Sequence, residues 1–279
     1  MSMFKKNWVA TLLFITGGIA GSMAFTSAVY AADSAQKTIT LGFNPGPYQE
    51  QFAKGVGPFL EAKGYKLVYK DFSDGIQVNN AVDSGEIDGN IMQHPIYLQS
   101  INDRLGINNI GIVQVPTPPM GLYSNKHKAV DKPQSGETVS VPNQASNEYR
   151  AALLLQDLGW IKISPKSDPA TFSQKNITEN PYKLIFKEMD NAQQVRALPD
   201  VDYGAIQGNF AVSSGLKLNS ALKLENPVKG FINIVTIAGK NKDAQFAKDI
   251  VAGYHSAEFK KYIFSNAQYQ GYLLPDYLK

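Results

Sequence analysis

Strands and helices alternate twice along this chain, and twice the alternation gives way to an extended stretch. The run Lys37–Phe43, "KTITLGF", places Ile39, Leu41 and Phe43 at every second position, the period of a half-buried strand. "NPGPY" ends it and opens a helix expected to reach Gly64. A strand at "KLVYKDF", a helix at "GIQVNNAVDSG", a strand at "EIDGNI", a helix at "PIYLQSINDRLG" and a strand at "INNIGIVQV" follow. Such alternation predicts an α/β fold with mainly parallel sheets. In "VPTPPMGLYS", Pro116, Pro118 and Pro119 forbid a helix and favour an extended crossing. The rhythm resumes with "ETVSVPN", a long helix "SNEYRAALLLQDLG", the strand "YKLIFKEM", a short helix "NAQQVRAL" and the strand "VDYGAI". A second extended stretch, "GFINIVTIAG", leads to two amphipathic helices at the C-terminus. The segment "IKISPKSDPATFSQKNITENP" has no such period and reads as a surface excursion.

Two segments echo each other. "VDSGEIDGNIMQH" and "LPDVDYGAIQGNF" share a short helix, an acidic turn, a short strand and polar residues where the strand ends. Ligands of open α/β sheets sit beyond the carboxyl ends of strands. Two lobes with polar strand ends, joined by two extended crossings, would enclose a hinged cleft.

The first 31 residues form a separate case. Lys5 and Lys6 precede an apolar run, and "AVYA" follows it with small residues, the layout of a secretory signal peptide cleaved after Ala31. The expected location is periplasmic. The chain contains no cysteine, so neither a lipid-bearing cysteine nor a disulfide is expected, and stability has to come from packing. The formal charge is +3; losing Lys5 and Lys6 with the leader brings it to about +1, which argues against a nucleic-acid partner.

Catalytic motifs are missing: there is no G-x-S-x-G elbow, no Walker-type phosphate loop and no H-E-x-x-H. The glycines of "KGVGPFLEAKG" fall within a helix rather than after a strand, so they do not form a phosphate cradle. His94, His127 and His255 lack the spacing and carboxylate partners of a zinc site, so neither metal nor cofactor is expected. His127 and His255 read as solvated. His94, in "QHPIYL", is open to three readings: metal ligand, base, or wall of a small-molecule site.

Arg150 is the sharpest single signal. With Ser146 as N-cap it would lie within about the first turn of its helix, where the dipole favours an anion, on a face shared with Leu153 and Leu154. An anionic ligand would resolve both features through charge-assisted bonds to the guanidinium. The alternative is an arginine that snorkels to water or pairs with Glu148 or Asp157.

"FNPGPYQE", "FSDGIQVNNAVDSGEIDGNIMQHPIYL", "PPMGLYS", "VPNQASNEYRAALLLQDLG" and "VDYGAIQGNFA" occur in one order. In that order the chain resembles the NlpA lipoprotein family, the methionine-type substrate-binding proteins of ABC importers, from about Ile39 to the C-terminal helices. The resemblance implies a two-lobed periplasmic-binding-protein fold with a hinged interdomain cleft. Lobe one would comprise residues 37–118 plus 231–279, and lobe two 119–230.

It further implies that Arg150 clamps a ligand carboxylate, that Asn147 holds the polar head, and that His94 and Tyr97 line the side-chain end. The implied partners are a small-molecule ligand, either an amino acid or a short peptide, and the membrane permease of an ABC importer, with the protein itself a monomer. An exported enzyme using the same cleft, or a non-transport receptor, are the competing readings.

The chain departs from the family pattern at several positions. Gly75 stands where an aromatic residue is usual, Ile91 and Met92 replace aromatics before "QH", and Gln207 replaces an asparagine, with Asn209 two residues on. Tyr97 or Phe72 could refill the space beside Gly75. The altered walls lead to the expectation that free L-methionine binds less tightly than a bulkier amino acid or short peptide.

Overall fold

The computed structural model describes residues 37–226 and 230–279; the expected signal peptide, residues 1–31, lies outside them. In chain order the first elements are β1 (Thr38–Phe43), α1 (Tyr48–Gly55), α2 (Gly57–Ala62), β2 (Lys66–Asp71), α3 (Gly75–Ser84), β3 (Gly89–Gln93), α4 (Pro95–Leu105) and β4 (Asn109–Gln114). After the proline-rich crossing come β5 (Gly121–Tyr123), β6 (Thr138–Pro142), α5 (Ala145–Asp157), β7 (Lys162–Ile163), β8 (Ile177–Glu179), β9 (Ile185–Met189), α6 (Asn191–Ala197), β10 (Tyr203–Ile206), α7 (Gly208–Ser213) and β11 (Lys223–Leu224). The chain then returns through β12 (Ile234–Ala238) to α8 (Gln245–Tyr254) and α9 (Ala257–Ser265).

Two five-stranded sheets result, in the orders β2-β1-β3-β12-β4 and β11-β5-β10-β6-β9. In the first, β1 pairs in parallel with β2 and β3, as the alternation predicts. The strands that follow the two crossings break the parallel pattern: β12 runs antiparallel to β3 and β4, and β5 antiparallel to β10. Each is reached from the other sheet rather than by a helical crossover, which is the connection that makes neighbours parallel.

Both sheets are covered on two faces. On β1, Ile39, Leu41 and Phe43 point into a core shared with Phe52, Leu60, Ile250, Tyr254 and Phe259 from α1, α2, α8 and α9. Gly42 faces the other way, where a Cβ would meet Val78 and Ile87 at 2.7 and 2.8 Å, so α3 lies directly on the strand. In the second sheet, Val139, Val141, Tyr203 and Ala205 pack against Ala151, Leu154 and Leu155 of α5. The same core takes in Trp160, Ile161, Ile163 and Phe172, so the segment read as a surface excursion is anchored by its apolar residues.

The single helix expected from Tyr48 to Gly64 is two helices. Pro58 has no N–H to give and its ring clashes with the carbonyl four residues back, so the helix breaks at Val56 and restarts at Gly57.

Candidate functional site

Strand ends from both sheets surround one cavity of about 370 Å³. Asn44 lies beyond β1, Ser73 and Asp74 beyond β2, and Gln93 and His94 at the end of β3. From the second sheet come Asn143 beyond β6, Asp190 beyond β9 and Gln207 beyond β10. This is where an open α/β sheet leaves backbone and side-chain polar groups facing outward rather than into a neighbouring strand.

Several of these residues also start helices. The Asp74 carboxylate accepts the amides of Ile76 and Gln77, each at 2.8 Å, and Asp190 accepts Ala192 at 2.9 Å. His94 caps α4: its Nδ1 accepts the Tyr97 amide at 3.1 Å, with Pro95 next as a favoured first residue. That fixes the tautomer, so Nε2 carries the proton and donates to Asn147 Oδ1 at 3.1 Å. Burial, and then the charge of Arg150, lower the imidazole to about 3, against a smaller upward pull from the bond to Asn147. His94 is therefore neutral with both nitrogens engaged, which makes it a wall residue rather than a base or a metal ligand. Beneath it, Asn79 and Gln93 exchange two amide bonds of 2.9 and 2.8 Å, and Gln93 also reaches Thr236 at 3.2 Å. This network holds the end of β3 in place.

The two sheets meet across the cavity. His94 bonds Asn147 of α5, and Asn209 of α7 donates to the Pro45 carbonyl at 3.1 Å. Gln207 donates to the same Asn147 oxygen at 2.7 Å. Asn147, His94, Tyr97, Gln207, Asn209 and Met92 all line the cavity. Phe72 does not: it packs with Met92 on the Val78–Val82–Ile87 cluster. The space beside Gly75 is filled by this chain's own side chains, since a Cβ there would stand 2.5 Å from the Tyr97 hydroxyl and 2.8 Å from Met92 Cε.

Arg150 is not brought to the cavity. It is 3% exposed, and its guanidinium forks onto Glu225, with Nε to Oε2 at 2.6 Å and Nη2 to Oε1, under the Phe231 ring at 5.3 Å. Glu225 Oε1 also accepts the Met120 amide at 2.7 Å, so the pair ties α5 to the proline-rich crossing. The anion that Arg150 requires comes from Glu225, rather than from the nearby Glu148 or Asp157. The helix also starts earlier than expected: its N-cap is Gln144, so Ser146 is the second helical residue and Arg150 lies beyond the first turn.

Three buried oxygens of cavity-lining residues have no hydrogen-bond partner: Asn44 Oδ1, Ser146 Oγ and Asn191 Oδ1. Asn44 and Asn191 were not singled out in the sequence, and Ser146 entered it only as a helix cap. The available signal was their place, one to three residues past a predicted strand. His127, read as solvated, is half-buried; it stacks on Tyr203 at 4.5 Å and pairs with Glu137 at 3.0 Å, away from the cavity.

The family described as NlpA lipoprotein matches residues 39–277. A Haemophilus influenzae protein named probable D-methionine-binding lipoprotein MetQ is 30% identical, over 88% of this chain and 92% of its own. The Bacillus subtilis methionine-binding lipoprotein MetQ is 28% identical over 97% and 98%. Among solved structures, a nutrient binding protein from Burkholderia cenocepacia bound to methionine superposes with a TM-score of 0.78. That structure is 34% identical and covers 84% of this chain and 97% of that one. The resemblance found in the sequence motifs and the two-lobed α/β fold are both borne out. The expected localisation is corrected: both MetQ relatives are named lipoproteins, which are lipid-attached to a membrane, against the reading of an unlipidated, freely soluble periplasmic protein.

Proposed function

This chain belongs to the NlpA lipoprotein family, and on that footing we propose that it is the substrate-binding protein of an ABC importer. Its cleft takes methionine, a related amino acid or a short peptide and presents it to a membrane permease. The observation that carries this reading is the cavity between the two sheets, with three buried oxygens left without a partner in its wall. Buried polar atoms are nearly always satisfied, so atoms of this kind facing a cavity match a polar ligand. Asn147, His94, Tyr97, Gln207, Asn209 and Met92 form its walls. The relatives named above are binding proteins, which favours a receptor over an enzyme.

The proposed lobes are 37–118 plus 231–279 and 119–230, the segments that supply the two sheets. Among the described residues the only exposed large hydrophobics are Ile185 and Phe264, on different sheets' segments, which supports a monomer.

Mass spectrometry of small molecules released from the purified protein, with thermal shifts against L-methionine, other amino acids and methionyl dipeptides, tests the reading. Binding to the native state raises stability by RT ln(1 + [L]/Kd), so the shifts rank the ligands. A shift from none of them rejects the ligand class.

A further inference from the structure

The second sheet carries a group of ligating side chains at the end opposite the cavity. The cavity lies past the carboxyl ends of β6 and β10, at Asn143 and Gln207. Glu137 and Asp202 immediately precede those same strands, and His127 follows β5, which runs antiparallel to β10. A nitrogen of His127 and an oxygen from each carboxylate all lie within 4.8 Å of one another. His127 Nε2 stands 3.0 Å from Glu137 Oε1. The three residues are far apart in the chain, so the spacing argument against a metal site does not reach them.

Each of the three is aimed by a further partner. The His127 ring stacks on Tyr203 at 4.5 Å, with the planes 10° apart. Glu137 Oε2 accepts the Gln134 amide at 2.9 Å, which turns Oε1 towards the imidazole. Asp202 Oδ2 accepts the Thr138 amide and hydroxyl at 2.8 and 2.7 Å. Its Oδ1 accepts the Lys126 ammonium at 2.9 Å, from a side chain 46% exposed. Outer partners of this kind are what orient ligating imidazoles and carboxylates around a metal.

We propose that His127, Glu137 and Asp202 form a binding site for a divalent transition-metal ion of the Zn²⁺ class. An imidazole with two carboxylates suits Zn²⁺, Ni²⁺ or Co²⁺, whereas Mg²⁺ and Ca²⁺ favour oxygen ligands alone. Two ligands of a tetrahedral Zn²⁺ stand about 3.4 Å apart, so side-chain shifts of about an ångström close the three onto one ion. The ion replaces the proton between Nε2 and Glu137, which leaves to solvent, and Lys126 swings into water. Water fills the remaining position on the partly exposed side. The ion pins the end of β5, the strand reached through the proline-rich crossing, to the starts of β6 and β10. This site is independent of the ligand that the cavity takes.

The test titrates the untagged, chelator-stripped protein with Zn²⁺, Mg²⁺ and Ca²⁺ by calorimetry. Zn²⁺ should bind as a single equivalent, at least about tenfold more tightly than Mg²⁺ or Ca²⁺. It should also raise the melting temperature, following RT ln(1 + [Zn²⁺]/Kd). His127→Phe keeps an aromatic ring on Tyr203 but removes the ligating nitrogen, and Glu137→Gln keeps the shape but removes the charge. Loss of an outer partner alone costs about 10–100-fold in metal affinity, so each variant should weaken Zn²⁺ by about a hundredfold or more. His255→Ala, outside the group, should bind Zn²⁺ as the wild type does. Thermal unfolding without metal checks that each variant is folded, and either folded variant decides. Absence of saturable Zn²⁺ binding, full affinity in a folded variant, an equal loss in His255→Ala, or tighter binding of Ca²⁺ than of Zn²⁺ overturns the proposal.

Discussion

Removing Glu225 should be among the most damaging single changes in the second sheet's half of the protein. In Glu225→Ala, Arg150 keeps its charge at 3% exposure with nothing to offset it but the Phe231 ring, and the Met120 amide loses its acceptor. Breaking a buried pair from one side costs about 3–5 kcal/mol. For a chain of this size a kilocalorie moves the melting temperature by roughly 2–4 °C, so a fall of about 6–20 °C is expected. Replacing both charges, as in Arg150→Met with Glu225→Leu, removes the stranded cation and leaves only the Met120 amide unpaired, a cost of about 1–3 kcal/mol. The double variant should therefore melt higher than the single one. Differential scanning calorimetry without ligand reads the stabilities, and calorimetric titration reads the affinity of the folded double variant. A double variant no more stable than Glu225→Ala would refute the reasoning on the pair. Loss of ligand binding by a folded double variant would show that Arg150 itself holds the ligand.

Three further outcomes are expected. Burial, reinforced by Glu188, raises the Glu148 carboxyl from 4.5 to about 7. The folded state then holds a proton that the unfolded state releases, so stability falls as pH rises from about 4.5 to 7 and stays low above it. Glu148→Gln should raise the melting temperature at pH 8 and change it little at pH 4; equal shifts at both would contradict the assignment. His94, lowered to about 3, has the opposite sign: the unfolded state gains a proton below pH 6.5, so stability falls as pH drops from 6.5 towards 3. His94→Gln should flatten that limb, and an unflattened curve would place the acid transition elsewhere. Gly75→Ala puts a methyl group 2.5 Å from the Tyr97 hydroxyl and should reorient that ring, changing the ranking of ligands by size; an unaltered thermal-shift order would exclude the pair from specificity.

Local periodicity carried most of the fold into the sequence. Strands such as β1 and β10 and helices such as α3 and α4 follow from alternation and from stops such as Gly85 and Gly106, both at positive φ. The antiparallel course of β12 was not legible, because direction depends on which sheet the chain arrives from. In the site, His94, Tyr97 and Asn147 were singled out through the family resemblance, whose motifs "QHPIYL" and "SNEYR" are each contiguous in the chain. The partner of Arg150 was not, since Glu225 is 75 residues away and only folding sets it beside α5. Ser146 looked like a cap because serine favours that position, yet Gln144 takes it.

Asp74, His94 and Asp190 each serve as a helix cap and as part of the cavity wall. Such positions are poor ground for evolutionary drift. Substitution by an apolar residue costs about 1 kcal/mol in capping before any effect on the ligand is felt. Variation in what such a receptor accepts is thus channelled to wall residues without a capping duty, Gly75, Met92 and Tyr97 among them, and those are the places where this chain has departed or compensated. A library aimed at new ligands would gain most by randomising those three while keeping the caps fixed.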